Sequence, residues 1–267
     1  MEQEILAHYE AGIETPRLLR GAGLLERART VDLLARHLPP PPARILDIGG
    51  GPGAYAVWLA GLGYDVRLID PVPLHVEEAR AAAAAAGVAL DASVGDARKL
   101  PDRDASADAA LVMGPLYHLT ERVDRVAALA EARRVIRPGG VVAAVGISRY
   151  ASLLDGLAQR RIDDPAFLAI LERDLAEGQH RNPTDHLEYF TTAFFHRPEQ
   201  LTAEAEDAGL GLPAVFAIEG PGWLLPDIAE RAADPAHWGV LMDLLRRIES
   251  DPALLAASAH LMMIARR

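Results

Sequence analysis

Arg44–Leu59 reads RILDIGGGPGAYAVWL. Arg44–Ile48 is a short apolar strand with one acid in it, Asp47. Five residues rich in glycine follow, Gly49–Gly53, and Ala54–Leu62 then has helical character. A buried strand entering a glycine-rich turn that opens a helix is the local plan of a nucleotide-binding loop. Glycine lets the backbone turn tightly and approach a ligand with no Cβ in the way. In an open α/β sheet such a loop faces the crevice beyond the carboxyl ends of the strands, where the strand order reverses. The competing reading is a tight strand–helix connection that holds nothing.

Outward from this loop, strands alternate with helices. Asp65–Ile69 is a second strand and Leu74–Ala86 a helix stopped by Gly87. Leu90–Val94 and Ala107–Met113 are the third and fourth strands. Thr120 is placed as the N-cap of a helix running to about Ile136. Pro138-Gly139-Gly140 is a sharp stop, and Val141–Ile147 is a continuous apolar strand of the kind buried in a parallel sheet. This alternation predicts a doubly wound α/β sheet. Residues 1–38 read as helical, followed by the stiff connector Pro39–Pro42. Beyond Ile147 the alternation lapses. Residues 150–195 read as mostly helical and Glu199–Ala208 as a helix. Val215–Glu219 and Leu261–Ala265 read as late strands that pair.

Two ligand spacings coexist in the loop. Gly49, Gly51 and Ala54 meet the dinucleotide fingerprint G-x-G-x-x-G/A. Asp47, Gly49, Gly51 and Gly53 meet acidic-x-G-x-G-x-G. The second pattern resembles motif I of the class I S-adenosylmethionine-dependent methyltransferases. Asp70 at the end of the second strand suits either ligand, since both want an acid there for ribose hydroxyls. Val94-Gly95-Asp96-Ala97, the segment LVMGPLYHL at Leu111–Leu119 and RVIRPGG at Arg134–Gly140 follow in the family's order over about residues 43–147.

The resemblance implies an α/β fold with a mostly parallel seven-stranded Rossmann-like sheet, an antiparallel last strand and a helical cap. It divides a single domain, 1–267, into a cap at 1–38, a cofactor half at 43–147, a cap insertion at 148–197 and a C-terminal helix and hairpin at 198–267. The implied cofactor is S-adenosylmethionine. Asp47 and the backbone of Gly49, Gly51 and Gly53 would hold its methionine end, Asp70 the ribose and Asp96 the adenine amine. Ala97 and Met113 would line the adenine slot. His118 lies where the family places residues facing the transferred methyl, and a neutral imidazole there suits a general base. Tyr9 and Arg20 would close over the methionine carboxylate. The expected activity is methyl transfer to oxygen or nitrogen of a small-molecule acceptor. An NAD-dependent oxidoreductase and a protein that binds the cofactor without methyl transfer remain as alternatives. A reductase of the Tyr-x-x-x-Lys type would need Lys four residues after Tyr150, where the chain has Leu154.

Composition narrows the classes further. Against 38 acidic residues stand 27 basic ones, a formal charge of −11. That disfavours nucleic acid and anionic membrane as partners. The absence of cysteine removes thiol nucleophiles and Cys-ligated zinc. No two-His helical spacing with a carboxylate is present, so no metal is expected. Lys99 is the sole lysine, which leaves little room for Schiff-base chemistry. The acidic start MEQEILAHYE lacks a 7–15-residue apolar stretch, and the expected location is cytoplasmic. Six of the 14 aromatics lie between Tyr189 and Trp223. They read as a core joining cap to sheet or as an acceptor pocket, with His186 and His196 nearby as second-choice bases.

Overall fold

The computed structural model describes residues 18–267 except Asp185. The first half runs α1 (Ala22–His37), β1 (Arg44–Ile48), α2 (Ala54–Gly61), β2 (Asp65–Asp70), α3 (Pro73–Ala86), β3 (Asp91–Val94), β4 (Ala107–Val112), α4 (Pro115–His118), α5 (Arg122–Val135) and β5 (Ile136–Ser148). The second half runs α6 (Ala151–Ala158), α7 (Pro165–Glu177), β6 (Gln179–His180), β7 (Ala193–His196), α8 (Pro198–Asp207), β8 (Ala214–Ala217), α9 (Ile228–Ala233), α10 (Pro235–Ile248) and β9 (His260–Arg266).

The first five strands are parallel and lie in the order β3-β2-β1-β4-β5. β9 adds antiparallel to β5, and β8 antiparallel to β9. The chain therefore winds one way from β1 to β3 and the other way from β4 to β5. The reversal falls between β1 and β4, so a crevice opens at their carboxyl ends. β1 is the central strand and is apolar on both faces. Leu46 and Ile48 enter one core with Leu129 and Ala132 of α5 and Leu201 of α8. Ile45 enters the other with Leu33 and Leu34 of α1, Leu59 of α2 and Ala79 of α3. Asp47 lies two residues beyond Ile45 and shares its face, so strand geometry alone turns a carboxylate toward the second layer.

The expected sheet holds, with an additional hairpin. Gln179–His196 departs from the helical reading of 150–195. Gly178, at φ +76, stops α7, and β6 and β7 pair antiparallel. Phe195 of β7 then packs beside Ile147, its register partner in β5. Thr120 is not the helix cap. Its carbonyl accepts from Arg125 Nη1 at 2.8 Å and from Gln179 Nε2 at 3.0 Å, and the helix starts at Arg122 behind Glu121. Pro138-Gly139-Gly140 lies inside β5 as a bulge rather than ahead of it; the pairing with β4 shifts register between Ala107 and Ala109.

α1 closes one side of the sheet and is tied to the C-terminal helices. Leu25 packs with Ile228, Leu241, Met242 and Leu245. Arg29, fully buried, donates to the Ile218 carbonyl and Asp32 at 2.9 Å each, and pairs with Glu249. Arg36 adds two bonds of 2.8 Å to Glu249.

Candidate active site

The glycine loop joins β1 to α2 at the reversal of strand order. Gly49, Gly51 and Gly53 all have left-handed backbone, at φ +71, +56 and +86. The three serve different ends. A Cβ on Gly49 would stand 2.5 Å from Pro115 Cδ, and one on Gly53 would stand 2.9 Å from Ala79 Cβ. Those two let the loop pack on its own fold. A Cβ on Gly51 would meet nothing within 4 Å. Gly51 faces open space, and its N–H donates to Asp70 Oδ2 at 2.9 Å.

Three carboxylates, Asp47, Asp70 and Asp96, border the cavity at this loop. Asp47 is 1% exposed, and neither of its oxygens has a hydrogen-bond partner among the described residues. Burial, followed by the nearby charge of Asp70, pushes its carboxyl up to about 7. A buried acid with no donor is a costly arrangement unless a ligand supplies one. Asp70, at the end of β2, is already well bonded. Besides Gly51, the Val72 N–H donates to its Oδ1 at 2.9 Å, and His75 Nδ1 lies 3.1 Å away. Asp96, in the loop after β3, is exposed and held by Arg98 through Nη2 at 2.6 Å and through the Arg98 N–H at 2.9 Å. That guanidinium holds the Asp96 carboxyl below the usual carboxylate range.

These groups line one cavity of about 370 Å³, within the size range of small-molecule sites. Asp47, Gly49, Gly51, Gly53, Asp70, Asp96, Ala97, Met113 and His118 all border it. Arg20 is exposed and does not border it. Tyr9 lies outside the described residues. The far wall holds residues that spacing did not single out: Glu26 and Thr30 of α1, Ile218 and His260. His260 begins β9, between β8 and β5, and joins the cavity lining through pairing with β5, more than a hundred residues earlier in the chain. No local signal marks it.

The histidines separate by environment. His118 ends α4, with Nδ1 3.4 Å from the Thr192 carbonyl and its ring edge-on to Tyr117. Tyr117 donates to the Met113 carbonyl at 2.9 Å, which fixes the turn that carries both rings. His196 is fully buried beside Glu204, and burial lowers its pKa. It is sealed from the cavity. His186 is exposed and pairs with Glu188. None of the six clustered aromatics borders the cavity. Tyr189 packs on Phe167, Phe195 beside Ile147, and Phe194 under the Arg125 guanidinium at 3.7 Å. They join cap to sheet.

Comparison with known proteins agrees with this geometry. The family model for a methyltransferase domain matches residues 45–140. An uncharacterised methyltransferase of Mycobacterium tuberculosis is 40% identical over 103 residues, 39% of either chain. A ubiquinone biosynthesis O-methyltransferase of Methylobacterium nodulans is 30% identical over 175 residues, 66% of this chain and 62% of its own. The chain thus spans well under two thirds of the length of the mycobacterial relative and slightly under it for the second. A crystal structure of an S-adenosylmethionine-dependent methyltransferase from Mesorhizobium loti superposes with a TM-score of 0.59 at 20% identity, covering 91% of this chain and all of that one. Residues 45–140 thus match a methyltransferase domain, and the loop and strand order belong to the fold shared with the Mesorhizobium S-adenosylmethionine-dependent methyltransferase.

Proposed function

We propose that this chain transfers a methyl group from S-adenosylmethionine to an oxygen or nitrogen of a small molecule. One observation carries the reading: Asp47, buried at the mouth of the glycine loop with both oxygens lacking a donor. The methionine end of the cofactor brings an ammonium group, which supplies the missing donors and charge. A dinucleotide pyrophosphate in the same place would bring negative charge toward a carboxylate. Gly51 leaves the approach open on the ligand side. The residues present therefore fit the cofactor.

Bound there, the cofactor supplies an electrophilic methyl on a sulfonium, and no metal is needed to activate it. The rest falls to the protein. Asp70 would hold the ribose with the lone pairs that its contacts to Gly51, Val72 and His75 leave over, and Asp96 would hold the adenine amine. Ala97 and Met113 wall the adenine slot. Tyr117, Val145 and Ile218 line the cavity beyond and keep water away from the reacting carbon. Holding acceptor and methyl in line is the main catalytic contribution in such a transfer. His118 borders the same cavity and would face the methyl group in this reading. The name of the Methylobacterium relative, an O-methyltransferase, supports an oxygen acceptor.

Calorimetric titration with S-adenosylhomocysteine and, separately, with NAD tests the reading. Micromolar or tighter binding of the first alone is expected. Binding of NAD alone would overturn it and return Gly49, Gly51 and Ala54 to the dinucleotide fingerprint.

A further inference from the structure

Behind His260, which borders the cavity, Glu219 is 1% exposed and every bond it makes fixes its direction. His260 Nδ1 lies 2.6 Å from its Oε1. Its Oε2 accepts from the Ser258 hydroxyl at 2.8 Å and from the His260 N–H at 3.0 Å. The Ser258 oxygen in turn accepts from the N–H groups of Glu219 and Gly220, at 3.0 Å each. A short loop, one hydroxyl and two strand ends thus aim a single buried carboxylate at one imidazole. That imidazole borders the cavity. Opposite charge from His260 and the bonds from Ser258 outweigh burial and keep the Glu219 carboxyl below its ordinary value. Glu26 of α1 is the other acid facing the ring, its Oε2 4.0 Å from Nδ1. The buried cation Arg29 bonds the Ile218 carbonyl one residue before Glu219.

We propose that Glu219 and His260 form a base dyad that takes the proton of the methyl acceptor. The inference rests on the methyl-transfer reading above. The carboxylate holds Nδ1–H, which sets the tautomer, so any proton the ring exchanges with a molecule in the cavity passes through Nε2. A nucleophile's base oriented by a third, buried group is the arrangement that hydrolase triads use. As the acceptor oxygen or nitrogen takes the methyl carbon, the sulfur keeps the electron pair of the broken carbon–sulfur bond. His260 Nε2 takes the proton, and the resulting imidazolium is stabilised by Glu219.

Glu26, Glu219 and His260 also bring ligand-type atoms within 4.8 Å of one another. A cation there would compete with the dyad, since it would need the same carboxylate oxygen and ring nitrogen.

The test needs no known acceptor. Diethyl pyrocarbonate acylates neutral imidazole nitrogens, and mass spectrometry assigns each site. His260 is expected to react with a pH midpoint set by its pairing, and Glu219→Gln is expected to lower that midpoint by about one pH unit. Sealed His196 serves as the unreactive reference. A His260 that stays unmodified in the native protein, or a midpoint unmoved by Glu219→Gln, overturns the proposal. Should Glu219→Gln fail to fold, His260→Gln decides, because its ring is partly exposed and its loss leaves the core intact. With labelled cofactor and a low-mass cell extract as acceptor pool, His260→Gln should lower methyl transfer by about 10²–10⁴-fold while S-adenosylhomocysteine affinity stays within twofold. A larger loss from His118→Gln than from His260→Gln overturns the proposal. So does micromolar Zn²⁺ binding that His260→Gln abolishes, which would make the cluster a metal site. Failure of S-adenosylhomocysteine to bind the wild type would instead sink the underlying methyl-transfer reading.

Discussion

Cofactor binding should depend on pH through Asp47. In the fold its carboxyl titrates near 7, against 3.8 in an open chain. That difference disfavours the buried charge by ~4 kcal/mol. Between about pH 4 and 7 the folded protein holds a proton that the unfolded chain has lost, so the apo protein loses stability as pH rises through that window. An ammonium ligand demands the opposite state. It pairs with the ionised carboxylate, so binding below pH 7 must first remove the proton. Affinity for S-adenosylhomocysteine should then weaken about tenfold per pH unit below 7 and level off above it, giving roughly a tenfold difference between pH 6 and pH 8. Calorimetry at pH 6 in buffers of different ionisation enthalpy should register close to one proton released per ligand bound. Asp47→Asn should flatten the profile and weaken binding at pH 8 by about tenfold or more. Equal affinity of the wild type at pH 6 and 8, or wild-type affinity of Asp47→Asn at pH 8, would refute the assignment of Asp47 to the ammonium.

The glycines should divide by substitution. Gly51→Ala meets open space, so thermal denaturation should report a loss of only about 1–2 kcal/mol from its left-handed backbone, while titration shows a much larger loss of cofactor affinity. Gly49→Ala collides with Pro115 and should be the more destabilising of the two, by several kcal/mol at the order-of-magnitude level. Arg29→Met leaves Asp32 and Glu249 beside an apolar stem, and urea unfolding should show a loss of about 3 kcal/mol. Arg125→Met removes the three bonds to Glu204 and the donor to the Leu119 and Thr120 carbonyls, so it should destabilise to a similar degree and also loosen the turn that carries His118. Hydrogen exchange at residues 115–120 reads that second effect.

The cofactor half was legible because its signals are local. Each strand from Arg44 to Ile147 is a short apolar run bounded by glycine, proline or an acid, and a parallel sheet buries such runs on both faces. Asp47, Asp70 and Asp96 each end or follow a strand, so the doubly wound order carries all three to one edge. The region after Ile147 was harder. Gln179–His196 carries few strand signals before Thr191, and its hairpin forms because Phe194 and Phe195 find partners in Arg125 and Ile147. Thr120 has the chemistry of a cap, yet Arg125 and Gln179 take its carbonyl and delay the helix.

By itself the sequence determined the strand–helix alternation, the glycine loop and the acids at the strand ends, since periodicity, turn chemistry and position along a strand are properties of neighbouring residues. Only the tertiary structure decided which side chains meet at His260 on the cavity wall. Glu26, Glu219 and His260 lie on three separate elements, and antiparallel pairing of β9 with β5 and β8 brings His260 beside Glu219. Burial likewise decided that Arg20 is exposed outside the cavity lining and that His196 is sealed beside Glu204. Such proximity is set by how layers pack, and no spacing along the chain encodes it.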